Sequence, residues 1–144
     1  MLTIYLSSPA PLLEWKKEIK EYPFSNKVKI YDPLRDGWGK KTYKRIEEAP
    51  KELVIRDLFE LDRSDVVICY LVGAAGYKGF SFGTPCECMY AYLKGKIVIV
   101  VTKEDFVGNH PWVKFIATKV CSTVKEACDF IDEDFNQNFE VCPK

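Results

Sequence analysis

The chain has 144 residues, 47% of them apolar, 14% aromatic and 29% charged. That suits one domain with one sizeable core, so residues 1–144 are read as a single unit. Lys plus Arg number 21 and Asp plus Glu number 21, a net charge of zero, whereas a nucleic-acid polymer binder normally carries a basic excess. No apolar run approaches the ~18 residues of a membrane span. A small phosphorylated ligand, held by a few backbone N–H groups, stays compatible with this balance.

The opening MLTIYLSSPAP has neither the basic region nor the long apolar stretch of a signal peptide. The six cysteines are Cys69, Cys86, Cys88, Cys121, Cys128 and Cys142. No C-x-x-C occurs and His110 is the only histidine, so no zinc set is completed. Reduced thiols and a cytoplasmic location are expected.

Leu2 to Leu6 (LTIYL) reads as a short strand, and Leu12 to Glu21 as a helix with charged Lys16, Lys17 and Lys20. Val28 to Tyr31 (VKIY) is a second strand, broken by Asp32-Pro33. Residues 32–50 read as a long polar loop, a length usually tied to function or disorder. From Pro50 to Leu61 a helix is expected, with Leu53, Val54, Leu58 and Leu61 on one face. Val66 to Leu71 (VVICYL) is a continuous apolar strand, as in a parallel sheet covered on both sides.

Residues 72–83 form a glycine-rich loop. Thr84 then reads as an N-cap, Pro85 as N1 and Glu87 as N3, a capping-box pattern. This helix runs to about Lys94 and stops at Gly95. Ile97 to Val101 is another buried strand, and Asn109 to Trp112 opens a short helix. Trp112, Phe115 and Ile116 read as core, with an interface as the alternative. Lys119 to Cys121 is a last edge strand, and Thr123 to Phe135 a closing amphipathic helix. Alternating strands and helices predict an α/β domain: a flavodoxin-like or Rossmann-like three-layer sandwich with a five-stranded parallel sheet. Ligands in such folds bind beyond the carboxyl ends of the strands. That rule places Ser7, Ser8, Asp32, the 73–83 loop and the helix start before Glu87 on one rim.

Several residues on this rim have two readings. Glu87 is a capping-box glutamate, a carboxylate nucleophile or base, or both. Asp57 belongs to a charged helix face but lies beside an apolar stripe, where a carboxylate is either paired or poised near its pocket. Ser81, Gly83 and Thr84 precede a helix whose free N–H groups favour an anion, although such loops are common. His110 is a ligand contact or a plain helix-start histidine. Arg35 lies on a segment able to fold over a base, or in a simple turn. G-x-x-x-x-G-K-[ST] and G-x-G-x-x-G are both absent.

Four stretches together resemble the nucleoside 2-deoxyribosyltransferase family, including its nucleoside 5'-monophosphate N-glycosidase branch. They are T-I-Y-L-S-S-P (Thr3 to Pro9), Asp32-Pro33, R-D-L-F-E-L-D-R-S-D-V-V-I (Arg56 to Ile68) and S-F-G-T-P-C-E-C-M-Y-A-Y-L-K-G-K (Ser81 to Lys96). The last is similar to the family's G-T-x-x-E pattern, and the likeness covers roughly residues 2–102. It implies Glu87 as nucleophile, Asp57 as the carboxylate near base and ribose, and Tyr5 as the aromatic that orients Glu87. It further implies a retaining double displacement with a glycosyl-enzyme ester and no metal or organic cofactor.

One departure is informative: Ser81 stands where classical transferases carry an aspartate that binds the sugar. The nucleotide-hydrolysing branch has serine there and holds the 5'-phosphate with it. A nucleoside 5'-monophosphate is therefore the expected substrate, with base exchange between deoxynucleosides and a non-catalytic nucleotide-binding module as alternatives. Ser7 and Ser8 are expected at phosphate or sugar. The resemblance also implies a homo-oligomer, with Asn109, His110 and Lys114 as candidates to complete a neighbouring subunit's site.

Overall fold

The computed structural model describes residues 1–9, 13–35, 50–72 and 82–137. Five strands, β1 (Leu2–Ser7), β2 (Val28–Tyr31), β3 (Val66–Tyr70), β4 (Ile97–Val101) and β5 (Lys119–Cys121), form one sheet. The order is β2-β1-β3-β4-β5 and every pairing is parallel. The helices are α1 (Glu14–Glu21), α2 (Glu52–Asp62), α3 (Gly83–Leu93), α4 (Asp105–Gly108), α5 (Pro111–Ile116) and α6 (Val124–Ile131), which runs into a π-helical turn at Asp132–Asn136. This is the expected three-layer α/β sandwich. No helix of the described residues is long and apolar enough to cross a membrane.

Strand parity divides the core in two. Leu2, Ile4 and Leu6 of β1 point to one face, where Trp15 and Ile19 of α1 and Val124, Ala127, Cys128 and Ile131 of α6 cover them. Tyr5 points to the other face, with Leu61 of α2, Cys88 and Ala91 of α3, and Ile116 of α5. Because successive side chains alternate, Thr3, Tyr5 and Ser7 all belong to this second face. β3 and β4 are buried along nearly their whole length, as their uninterrupted apolar runs require. The chain leaves β1 for β2 on one side and builds β3, β4 and β5 on the other. The β1–β3 seam is therefore the topological switch point.

Three local expectations are corrected. Helix α3 starts at Gly83 with Phe82 as N-cap, so Thr84 is helical and buried and no capping box forms. Glu87 consequently lies in the second turn, where its side chain is aimed at the sheet rather than at its own helix start. Val54 is not on the buried face of α2: it is exposed together with Ile55 and Phe59. Only Ile116 of the Trp112, Phe115, Ile116 trio enters the core, and the two aromatics are exposed. Finally, the one-turn helix α4 carries no sequence signal of its own. Gly95 ends α3 as expected, with φ of +69°, a conformation that suits a residue without Cβ.

Candidate functional site

Glu87 is held by β1. Thr84, Cys88 and Ala91 set the buried stripe of α3, and Glu87 lies along it, one turn after Thr84. Ser7 Oγ, at the last position of β1, donates to Glu87 Oε2 at 2.5 Å. Tyr5 OH, two residues earlier on the same face, donates to Glu87 Oε1 at 3.2 Å. Each carboxylate oxygen thus has its own donor, and both donors come from a strand paired on both edges. Ser7 and Tyr5 are themselves buried, so their hydroxyls have little freedom to turn elsewhere.

Burial makes the charged form of Glu87 unfavourable and, together with the negative charge of Asp57, pushes its pKa up to about 7. The hydrogen bonds from Ser7 and Tyr5 and the positive charge of Lys16 oppose that rise. The Tyr5 hydroxyl is pushed far upward by burial and by the charges of Glu87 and Asp57, so it stays protonated and remains a donor. Asp57 is half-buried on α2. Burial raises its pKa, and Glu60 adds to this, while Arg56, 3.5 Å away, and Arg35 pull it down. Glu87 and Asp57 are two carboxylates in one field, both shifted toward neutrality, a pattern that clusters at working sites.

Around this centre the other sequence-derived candidates take varied places. Ser8 Oγ accepts from Trp15 Nε1 at 3.1 Å and donates to the Pro9 carbonyl at 3.3 Å. Asp32 is buried, and its carboxylate accepts from Lys16 Nζ (2.8 Å), Lys20 Nζ (2.7 Å) and the Leu34 N–H (3.0 Å). Burial alone would raise the Asp32 pKa, but the two lysines outweigh it and hold it at about 2. Asp32 thus sits at the centre of an internal ion-pair knot. Arg35 makes a forked contact with the buried Glu60, at 2.6 and 3.0 Å. Gly83 is exposed with open space where a Cβ would stand. Ser81 lies outside the described residues. Asn109 and His110 are exposed at the corner between α4 and α5, and His110 Nδ1 caps α5 by accepting from the Trp112 N–H.

Two residues of this region have no place among the candidates that the sequence offers. Lys16 resembles the solvated lysines of its helix, yet it is buried between Trp15 and Ile19. The stripe Trp15, Ile19 is the available signal, since it also carries Lys16 to the sheet. Glu60 has the pattern of surface charge, but it follows Asp57 by one turn and faces the same way. Cys69 is fully buried, and its hydrogen bond with Cys88 together with burial pushes its thiol well above the usual range. No cluster of metal-ligating side chains occurs among the described residues.

No protein-family model matches the sequence, and comparison with curated proteins finds no relative. Solved structures do match. A 2-deoxyribosyltransferase from Bacillus psychrosaccharolyticus superimposes with a TM-score of 0.63 at 13% identity, over 94% of each chain. The 2-desoxiribosyltransferase of Leishmania mexicana gives 0.64 at 14%, over 94% of this chain and 99% of that one. A conserved protein of Enterococcus faecalis V583 gives 0.64 at 15%, with the same coverage. The chain therefore has the fold of the 2-deoxyribosyltransferases, the one its motifs resemble.

Proposed function

We propose that this chain is an enzyme that cleaves the N-glycosidic bond of a (deoxy)ribonucleoside 5'-monophosphate. The observation that carries the reading is the Glu87 carboxylate, half-buried and held oxygen by oxygen by Ser7 and Tyr5 at the switch point of the sheet. A carboxylate fixed by donors is suited to attack an oxocarbenium-like anomeric carbon. In the first step a Glu87 oxygen forms a bond to C1' and the bond from C1' to the base nitrogen breaks. The base leaves with the bonding electrons and takes a proton from Asp57, directly or through one water. In the second step water, losing a proton to Asp57, attacks C1' and breaks the ester. The sum adds one water and yields free base and sugar 5-phosphate. No metal or organic cofactor takes part in this sequence.

The preference for a phosphorylated substrate rests on Ser81, a hydroxyl where a carboxylate would repel phosphate, together with Gly83 and Thr84 in the first turn of α3. The fold likeness to 2-deoxyribosyltransferases favours a second reading, base exchange between deoxynucleosides. A binding module without turnover is disfavoured by the site itself, since two raised carboxylates in one field serve no evident binding purpose. Exposed Val54, Ile55, Phe59, Leu93, Trp112 and Phe115 on the α2, α3 and α5 layer support a homo-oligomer. A cytoplasmic location belongs to the same reading.

The test is chromatography of reactions with ribo- and deoxyribonucleoside monophosphates and their nucleosides, with and without a second free base. Base release from monophosphates alone, lost in Glu87→Ala, is the expected result. New nucleosides formed only with added base would establish exchange instead.

A further inference from the structure

Helix α2 has little apolar anchorage. Its buried residues are Glu60 and Leu61, both in its last turn, while Val54, Ile55 and Phe59 face solvent. Asp57 lies before that buried end. Polar contacts to the turn after β2 hold this stretch instead. Arg35 of the turn donates Nη2 to Glu60 Oε1 at 2.6 Å and Nη1 to Glu60 Oε2 at 3.0 Å. The same Nη1 donates to the Asp32 carbonyl at 3.1 Å. In the opposite direction, Arg56 of α2 donates Nη2 to the Pro33 carbonyl at 2.7 Å. Asp57 thus stands between two stitches, one residue after Arg56 and one turn before Glu60, and both stitches run to one turn. That turn is itself fixed: the Asp32 carboxylate accepts from Lys16, Lys20 and the Leu34 N–H, and the Arg35 N–H donates to the Asp32 carbonyl. The Asp57 carboxylate has only a long contact to Arg56, at 3.5 Å, which leaves it able to exchange a proton.

We infer that Glu60 is a positioning residue: its fork with Arg35, together with the Arg56–Pro33 contact, clamps α2 to the turn after β2 and so fixes where Asp57 meets the departing base. The inference rests on the proposed role of Asp57 as the acid. Glu60 is 6% exposed, and a carboxylate buried so deeply is costly unless paired. Packing α2 on the sheet would be served at least as well by an apolar side chain at that place. What the ion pair adds is a defined geometry, because a forked guanidinium–carboxylate contact tolerates little rotation or sliding. Proton transfer to a leaving base needs such definition, since the donor must lie within hydrogen-bond reach of one atom.

The test uses the nucleoside monophosphate that the full chain hydrolyses fastest. Glu60→Gln should lower kcat by about 10- to 100-fold and leave KM within about 2-fold of the parent. Arg35→Met should do the same, Arg35→Lys should recover part of the loss, and the double variant should lose no more than the costlier single one. In hydrogen exchange, amides of residues 53–58 should open about 10-fold faster in Glu60→Gln while those of β1 keep the parent rates. Glu60→Gln folds without an orphaned buried charge, because its partner Arg35 is half-exposed. A Glu60→Gln variant with the parent kcat overturns the inference. So does an Arg35→Met variant that raises KM and spares kcat, which would make Arg35 a substrate contact, and so does equal acceleration in β1, which would mark general loosening. Exchange reads the clamp with or without turnover. Absence of base release from the parent therefore defeats the proposed function, whereas an active parent beside an unimpaired Glu60→Gln defeats only the role of Glu60.

Discussion

Ser7 and Glu87 are 80 residues apart in the chain and meet at 2.5 Å, the hydroxyl of one closing on Oε2 of the other. Loss of this donor has two effects. Glu87 loses a hydrogen bond to its charged form, generally worth ~1.5–3 kcal/mol, and its pKa rises further. Ser7→Ala should therefore lower kcat/KM at pH 7 by about 10- to 100-fold and shift the acidic limb to higher pH. Tyr5→Phe, removing a longer contact at 3.2 Å while keeping the ring in the core, should do the same more weakly. Steady-state kinetics across pH check both.

The pH profile of the parent enzyme follows from the two carboxylates. Attack needs Glu87 ionised and departure of the base needs a proton on Asp57. With Glu87 at about 7, kcat/KM should climb as pH rises through neutrality. A limb of opposite slope should mark loss of the Asp57 proton, which burial holds more tightly than in a free aspartate. The two limbs belong to the pair as a whole. Asp57→Asn should abolish this second limb; a second limb that survives this change would exclude Asp57 as the acid.

The same carboxylate opposes folding. A group whose pKa is higher in the folded chain binds its proton more tightly there, so stability falls as pH rises from the unfolded value toward the folded one. For Glu87 that window runs from about 4.5 to about 7. Glu87→Gln does not titrate and should be more stable than the parent at pH 8 by about 1–3 kcal/mol, with the gap closing near pH 4.5. Urea denaturation at both pH values measures it.

Asp32 has the opposite sign. Its pKa of about 2 lies below the ordinary value of 3.8, so its stabilisation is present above pH ~4 and is lost as pH falls toward 2. Asp32→Ala leaves Lys16 buried without its counter-charge, a type of change that destabilises by ~3–5 kcal/mol. Denaturant titration at pH 7 should show the full loss, and at pH 2.5 a much smaller one.

The exposed aromatic residues of α2 and α5 predict association. Phe59→Asp or Phe115→Asp should turn an oligomer into a monomer without loss of helix content, read by light scattering and circular dichroism. A parent chain that is already monomeric at micromolar concentration would remove the interface from the proposal.

Much of this architecture is legible in the sequence. The apolar runs VVICYL and IVIVV have few alternatives to strands buried on both faces. The alternation in LTIYLS assigns Tyr5 and Ser7 to one face of the sheet and Ile4 and Leu6 to the other, without any structure. What escapes depends on contacts made at long range. Thr84 looks like a cap because threonine before proline usually is one, yet the helix extends one residue further back and buries it. Lys16 and Asp32 are unremarkable separately; only the adjacency of β1 and β2 and the packing of α1 bring their charges together. Arg35 and Glu60 likewise meet across 25 residues, a pairing that no local pattern encodes.

Because Tyr5 is paired with both β2 and β3 and Ser7 with β3, the backbone that presents them opens only when the sheet itself comes apart. Amide hydrogens in this strand should be among the slowest to exchange with solvent. The consequence is a division of labour between parts of the chain. If Glu87 is the nucleophile of the proposed reaction, it rests on donors held by the interior of the sheet, and new substrate preferences would be acquired through changes elsewhere on the rim.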